Sequence, residues 1–205
     1  MKQWKMSLIL VLMLSTLNAC NKADNAAGTS ATDASSKEVS SQVAGSNEAS
    51  ASSGACNLAS RKDGSLLVIK VVATDTPEAK EFLSTCINPY TKIYAKDAEA
   101  AKVGKKAYAY NGCSGCHGGN ANGLMGPSII DAQWEYVNHN TDKGLFETIA
   151  GGTNGKGVSA RGSMLTWHNQ VPGHTGDGLD TDTMLKIIGW LRTQYTGGGE
   201  TPWLS

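Results

Sequence analysis

Apolar residues occur in separate blocks along this 205-residue chain, and each block predicts a different kind of element. The first block is an apolar run over residues 6–17, which follows Lys2 and Lys5. A membrane-spanning helix needs about 20 apolar residues, so this shorter run behind a basic start predicts a secretory signal peptide over residues 1–19. We therefore expect a protein that is exported from the cytoplasm.

The next segment, residues 20–55, is almost free of large apolar side chains. Residues 21–55 contain nine Ser and nine Ala, and no aromatic residue, Leu, Ile or Met. Such a composition cannot bury enough apolar surface to offset the entropy lost on ordering, so it predicts a disordered tether. As a flexible coil the tether would reach roughly 30–35 Å, at about 5–6 Å times the square root of its length.

Residues 56–205 have the length of one domain, in which periodic apolar positions alternate with long glycine-rich loops. The clearest period predicts a helix over residues 181–195, with one apolar face formed by Met184, Ile187, Ile188 and Leu191. Capping residues predict three more helices, from Thr76-Pro77 to about residue 84, over residues 98–110 behind Asp97, and over residues 142–149 behind Thr141. The β-branched run 65–72 predicts a short strand. The pattern therefore predicts a mostly α domain.

Charge excludes one class of partner. Residues 56–205 carry 14 Lys and Arg against 14 Asp and Glu, so their formal balance is zero. Because nucleic-acid binding depends on an excess of basic residues, we expect no nucleic-acid partner.

The most specific motif is the pentapeptide at residues 113–117, which reads C-x-x-C-H. This is the attachment sequence of a c-type haem. The thiols of Cys113 and Cys116 have the spacing to add to the two vinyl groups of one porphyrin. The imidazole of His117 is then held beneath the ring as an iron ligand. A redox C-x-x-C needs no following histidine, and a structural zinc site needs a second pair of ligands. One such motif predicts one haem.

The sixth ligand of the iron has several candidates. Met164 lies in a loop among small residues, from which a thioether can approach the iron, and we expect it to be the ligand. Met184 belongs to an apolar helix face, so we expect it in the core, and Met125 lies too close to His117 to reach the far side of the ring. His139, His168 and His174 are expected to be ordinary loop histidines, with His168 the best alternative ligand. A His/Met pair raises the reduction potential and closes the iron to oxygen chemistry, which is typical of an electron carrier.

Two more cysteines, Cys56 and Cys86, remain in a compartment that we expect to be oxidising. A disulfide between them is the simplest prediction, and two separate buried thiols are the alternative. Cys20 ends the tetrapeptide Leu17-Asn18-Ala19-Cys20, which resembles a bacterial lipobox. That resemblance implies cleavage before Cys20 and a lipid anchor on its thiol, whereas the alternative is an ordinary signal peptide with a cysteine nearby.

From residue 97 onward the chain resembles class I cytochromes c. The resemblance implies a fold wrapped around one covalent haem, in which the helix before C-x-x-C-H crosses the last helix at Gly104, Tyr108, Gly189 and Trp190. It also implies that the Pro127 carbonyl orients His117, and that Met164 with Trp167 forms the methionine loop. Residues 97–205 would be the cytochrome domain, and residues 56–96 an N-terminal extension with a short strand and a helix.

A narrower resemblance, over about residues 86–205, is to cytochrome c-L. It is carried by the segments NGCSGCHG, WEY, TDKGLFETIAGG and MLKIIGWLRTQY and by the tail Pro202-Trp203-Leu204. The resemblance implies a periplasmic, non-enzymatic carrier. It would accept electrons from a pyrroloquinoline quinone (PQQ) alcohol dehydrogenase, typically methanol dehydrogenase, and pass them to a downstream cytochrome or oxidase.

Three features depart from that family pattern. They are the lipobox with its long tether, an apparent insertion over residues 168–180, and the order Met164-Leu165 in place of Met-Pro. Two rival functions stay open. One is a haem subunit of a membrane oxidase. The other is a small haem peroxidase or gas-binding protein, which requires that Met164 does not bind iron.

Overall fold

The structure, a computed structural model, describes residues 55–158 and 162–204. The predicted signal peptide, Cys20 and all but the last residue of the predicted tether lie outside the described residues. None of the described helices is both long and apolar enough to cross a membrane.

The described residues form a mostly α domain. Its helices are α1 (Pro77–Thr85), α2 (Pro89–Lys96), α3 (Ala98–Tyr110), α4 (Cys113–His117), α5 (Asp142–Gly151) and α6 (Thr181–Thr193), with a 3-10 turn at Pro202–Leu204. The predicted capping residues are confirmed, because Thr76, Asp97 and Thr141 each accept a hydrogen bond from a backbone N–H of the first turn. Asp180 does the same for α6.

Two predictions about the extension need correction. The strand predicted over residues 65–72 is wrong, because only Leu66 pairs, in an isolated bridge to Ala59. An apolar β-branched run becomes a strand only beside a partner strand, and here the run crosses the surface with Val68 and Val71 exposed. The second correction is α2, which was not predicted although Asn88-Pro89 repeats the cap-and-proline signal of Thr76-Pro77.

A short parallel pair of strands lies around the segment predicted as an insertion, residues 168–180, and its first strand begins just before that segment. They are β1 (Thr166–His168) and β2 (His174–Leu179), and the register of their pairing is irregular. This pairing was not predicted, because β2 is rich in glycine and polar residues and has no alternating apolar pattern.

Helices α3 and α6 cross closely, as the resemblance implied. A Cβ on Gly104 would lie 2.6 Å from the Cβ of Trp190, and the rings of Tyr108 and Trp190 pack at 4.8 Å. Gly189 serves a different contact from the one expected. It faces α2, where its Cβ position lies 2.9 Å from the Cβ of Tyr90. The two glycines therefore let α6 approach two different helices.

The disulfide predicted between Cys56 and Cys86 is present, with the two Cα atoms 5.1 Å apart. Next to it, the backbone N–H of Cys56 donates to the carbonyl of Leu83 at 2.8 Å. The start of the described chain is thereby joined to the end of α1. Leu58 and Leu67 then enter the same hydrophobic core as α3 and α6.

Candidate functional site

A mainly apolar cavity opens between α4, α5, α6 and the loops around them. It contains about 1440 Å³ of space free of protein atoms, counted out to its open mouth. A concave, mostly apolar lining with a few polar groups is the usual setting of a bound cofactor. The cavity is lined by all six residues expected to bind or contact a haem: Cys113, Cys116, His117, Pro127, Met164 and Trp167.

The imidazole of His117 is held in one orientation. Its Nδ1 lies 2.9 Å from the carbonyl oxygen of Pro127. A carbonyl only accepts, so Nδ1 carries the proton and donates, and the lone pair is on Nε2. Gly126 allows the close approach, because a Cβ there would lie 3.0 Å from Cε1 of His117. This is the hydrogen bond that metal-binding histidines commonly make through their second nitrogen.

The two thiols of the motif lie on α4, at its first and fourth residues. Both are free cysteines, Cys113 partly buried and Cys116 exposed. Burial raises the pKa of the Cys113 thiol to about 11. Reactive redox cysteines have a lowered pKa, so the raised pKa of Cys113 does not favour that use.

Met164 lies on the cavity wall, and a threonine fixes its backbone on both sides. The N–H of Thr153 donates to the carbonyl of Met164 at 3.0 Å, and the N–H of Met164 donates to Oγ1 of Thr153 at 2.9 Å. Met125 also lines the cavity, but it precedes Gly126, which touches His117. Met184 is fully buried in the core and does not line the cavity.

The structure places His168, the alternative sixth ligand, outside the cavity lining. Its ring is buried, with Nδ1 accepting from the N–H of Gln170 at 3.1 Å. Nε2 therefore carries the proton and donates to Oγ1 of Thr181 at 3.0 Å. Both ring nitrogens have partners. Burial lowers the pKa of His168 to about 4.

His139 lines the cavity, although the sequence pattern marked it only as a loop histidine. Its Nε2 lies 2.6 Å from Oγ1 of Thr148, whose hydroxyl donates to the carbonyl of Gly144 at 2.9 Å. That hydroxyl hydrogen is already used, so Nε2 of His139 donates. Burial, with the charges of Arg61 and Arg192, lowers the pKa of His139 to about 4. Its position could not be predicted, because it depends on packing against α5.

An aromatic cluster forms another part of the wall. Trp134 lines the cavity and stacks on Tyr195 at 5.7 Å, and both rings contact Trp203. The guanidinium of Arg192 lies 4.1 Å from the centre of the Trp203 ring and donates to Asp142 at 2.8 Å. The cluster joins the WEY segment, the end of α6 and the Pro202-Trp203 tail, which are three of the segments that carried the family resemblance.

These side chains fit a covalent haem. An apolar cavity faces two free thiols, an imidazole with a free Nε2 and a thioether, which is the donor set of a His/Met haem c. A structural zinc site does not fit, because the described residues contain no group of three His, Cys, Asp or Glu that could hold a metal ion.

Comparison with known proteins finds cytochrome c-L among the relatives of this chain. No family model matches the chain. Cytochrome c-L of Methylorubrum extorquens is 40% identical over 123 residues, which are 60% of this chain and 52% of that protein. The chain thus spans about half the length of this curated relative.

Two solved structures are also similar. Cytochrome CL from the marine methylotrophic bacterium Methylophaga aminisulfidivorans is 30% identical with a TM-score of 0.57, over 73% of this chain and 89% of that one. Cytochrome cL from Hyphomicrobium denitrificans is 34% identical with a TM-score of 0.52, over 67% of this chain and 73% of that one.

Proposed function

The chain belongs to the cytochrome c-L family, and we propose that it is a periplasmic electron carrier with one covalently bound haem c. It accepts electrons one at a time from a PQQ-dependent alcohol dehydrogenase, with methanol dehydrogenase as the expected donor. It passes them to a downstream c-type cytochrome or a terminal oxidase. It is an electron-transfer protein and not an enzyme.

One observation carries this proposal. His117 and Met164 are far apart in the sequence, but both line the same apolar cavity. The Nε2 of His117 and the thioether of Met164 are therefore both available to one bound group. A bound haem would supply a one-electron iron couple. If both His117 and Met164 bound the iron, no coordination position would remain for oxygen or peroxide.

Each residue of the site has a role in this function. Cys113 and Cys116 would hold the porphyrin through thioether bonds, and the hydrogen bond to Pro127 keeps the imidazole of His117 in the orientation for binding iron. Met164 would supply the second protein ligand of the iron, and a thioether ligand would stabilise the reduced state. Trp167 belongs to the lining next to Met164, where its apolar ring helps to exclude water.

The sequence supports a membrane location for this carrier. A lipid on Cys20 would anchor the chain, and a tether of residues 20–55 would let the haem domain move between a donor and an acceptor. A single acyl chain gives only marginal membrane binding, so the diacylation implied by the lipobox is the form that anchors stably.

The direct test is reduction of the purified ferric protein by a PQQ-dependent methanol dehydrogenase with methanol, followed in the visible spectrum. We expect reduction when enzyme and alcohol are both present, and none when either is left out. No reduction, while the same enzyme preparation reduces an artificial dye, would contradict the proposed donor. Co-purification with oxidase subunits would then favour a fixed oxidase subunit, and immediate cyanide binding would favour a haem peroxidase or gas-binding protein.

A further inference from the structure

The methionine segment, residues 152–158 and 162–166, follows α5 and runs into β1, and within it Thr153 holds the backbone of Met164. Thr153 contributes two hydrogen bonds, one through its N–H and one through its hydroxyl, and both go to the backbone of Met164. The residue before it, Gly152, has φ +69°, and a Cβ there would lie 2.8 Å from the backbone carbonyl of Leu165. A residue with a Cβ does not fit at position 152, so glycine is required there. The two hydrogen bonds of Thr153 hold the backbone of Met164 and so orient its side chain.

Thr153 is in turn held by the N-terminal extension. Arg61 pairs with Thr153 in an isolated parallel bridge. The Nζ of Lys62 donates to Oγ1 of Thr166 at 2.6 Å, on the far side of Met164. The side-chain amide of Asn154 donates to the carbonyl of Lys62 at 2.7 Å. Two successive residues of the extension thus contact the methionine segment both before and after Met164.

The extension has fixed points of its own. Glu147, fully buried on α5, pairs with Arg61 and Lys143 and accepts from the N–H of Ala59 at 2.8 Å. Upstream, the disulfide from Cys56 joins the extension to α1. Because residues 59–62 are held at Glu147 and behind the disulfide, they can act as a rigid support.

We propose that residues 59–62, which we name the brace, position Met164 by holding Thr153 and Thr166. This inference rests on the proposed function, since it takes Met164 as the sixth ligand. None of residues 59–62 lines the cavity. Its effect is to keep the thioether side chain on the cavity wall, so that release of Met164 requires the segment to separate from the extension.

The test measures competition for the sixth position. In ferric protein, imidazole competes with the thioether, and loss of the weak far-red absorption band of sulfur-ligated haem reports the displacement. Thr153→Val removes the acceptor for the Met164 N–H and keeps the side-chain shape. Lys62→Met removes the bond to Thr166. Each variant should bind imidazole roughly 2- to 12-fold more tightly, the equivalent of one lost hydrogen bond.

Two controls separate positioning from general stability. Thr153→Ser keeps the hydroxyl and should bind imidazole like the unchanged protein. Lys102→Met removes an exposed lysine that pairs with Glu99 on α3, far along the chain from the methionine segment, and should have no effect. Denaturant unfolding of every variant is measured in parallel.

Unchanged imidazole affinity in Lys62→Met would overturn the brace, because Lys62 is the brace residue that bonds to Thr166, and so would a change of the same size in Lys102→Met. If the unchanged protein has the far-red band, such results leave the proposed function intact. If the unchanged protein lacks the band, the sixth ligand is not Met164, and the proposed function and the brace both fail.

Discussion

Replacing Gly104 by Ala tests whether the crossing of α3 and α6 sets the shape of the haem cavity. A Cβ at this position would lie 2.6 Å from the Cβ of Trp190 and closer still to the backbone carbonyl of Lys186. To restore an ordinary contact of 3.4 Å with the Cβ of Trp190, α6 would have to move away by roughly 0.8 Å, and it would have to move further to clear the carbonyl of Lys186. The obstacle includes backbone, so no side-chain rotation can relieve it.

The expected magnitude follows from two opposing terms. Overpacking a close contact costs about 1–3 kcal/mol, and a clash with backbone belongs at the upper end of that range. Alanine gains about 1 kcal/mol over glycine in helix propensity. The free energy of unfolding should therefore fall by about 2 kcal/mol. For a domain of this size, the melting temperature should fall by about 4–8 °C.

Denaturant unfolding of the haem-loaded protein, followed by far-UV circular dichroism, measures this change. Gly119→Ala is the matched control, because Gly119 is exposed, has no positive φ and has nothing within 4 Å of its Cβ position. It should stay within about 0.5 kcal/mol of the unchanged protein. The visible spectrum should also shift in Gly104→Ala, since α6 carries Ile187 and Leu191 into the cavity lining. If Gly104→Ala is as stable as the control, the two helices are not in contact as described.

Three further predictions concern stability. Glu147→Gln leaves Arg61 without its buried counter-charge, so the free energy of unfolding measured with denaturant should fall by about 3 kcal/mol. An unchanged unfolding midpoint would mean that the pair is absent. Cys56→Ser with Cys86→Ser opens a loop of 30 residues and should cost about 3–4 kcal/mol, and only the unchanged protein should lose stability on adding reductant. Burial lowers the pKa of His168 to about 4, below the unfolded value of about 6.5, so the unfolded chain binds the extra proton between these values. The free energy of unfolding should therefore fall by up to about 3 kcal/mol as the pH is lowered from 6.5 to 4. This dependence on pH should be weaker in His168→Gln, and an equal dependence in both proteins would refute the assignment.

Local signals predicted the helices well and the strands poorly. The capping residue Asp97 and the stretch behind it predicted α3 with the bounds that the structure has. A helix makes its hydrogen bonds within its own segment, so its sequence contains most of the information. The run 65–72 has the amino-acid composition typical of a strand but no partner strand beside it. By contrast, β2 pairs with another strand but lacks that composition. Partners come from distant segments, which a local pattern does not contain.

The candidate site divides in the same way. Cys113, Cys116 and His117 were predicted from their spacing alone, because the chemistry of attachment occurs within five residues. Met164 was preferred over His168 by its neighbours, and the structure adds the physical reason that both nitrogens of His168 are already hydrogen-bonded. The brace could not be predicted, since Arg61 and Thr153 meet only through the fold.

The central claim is that Met164 is the sixth ligand of the iron. Its most direct test is the far-red absorption band of the ferric protein. We expect that the unchanged protein has this band and that Met164→Ala loses it. Met125→Ala, which removes the other loop methionine of the cavity lining, should keep it. A ferric protein without the band, or a Met164→Ala variant that retains it, would contradict the claim.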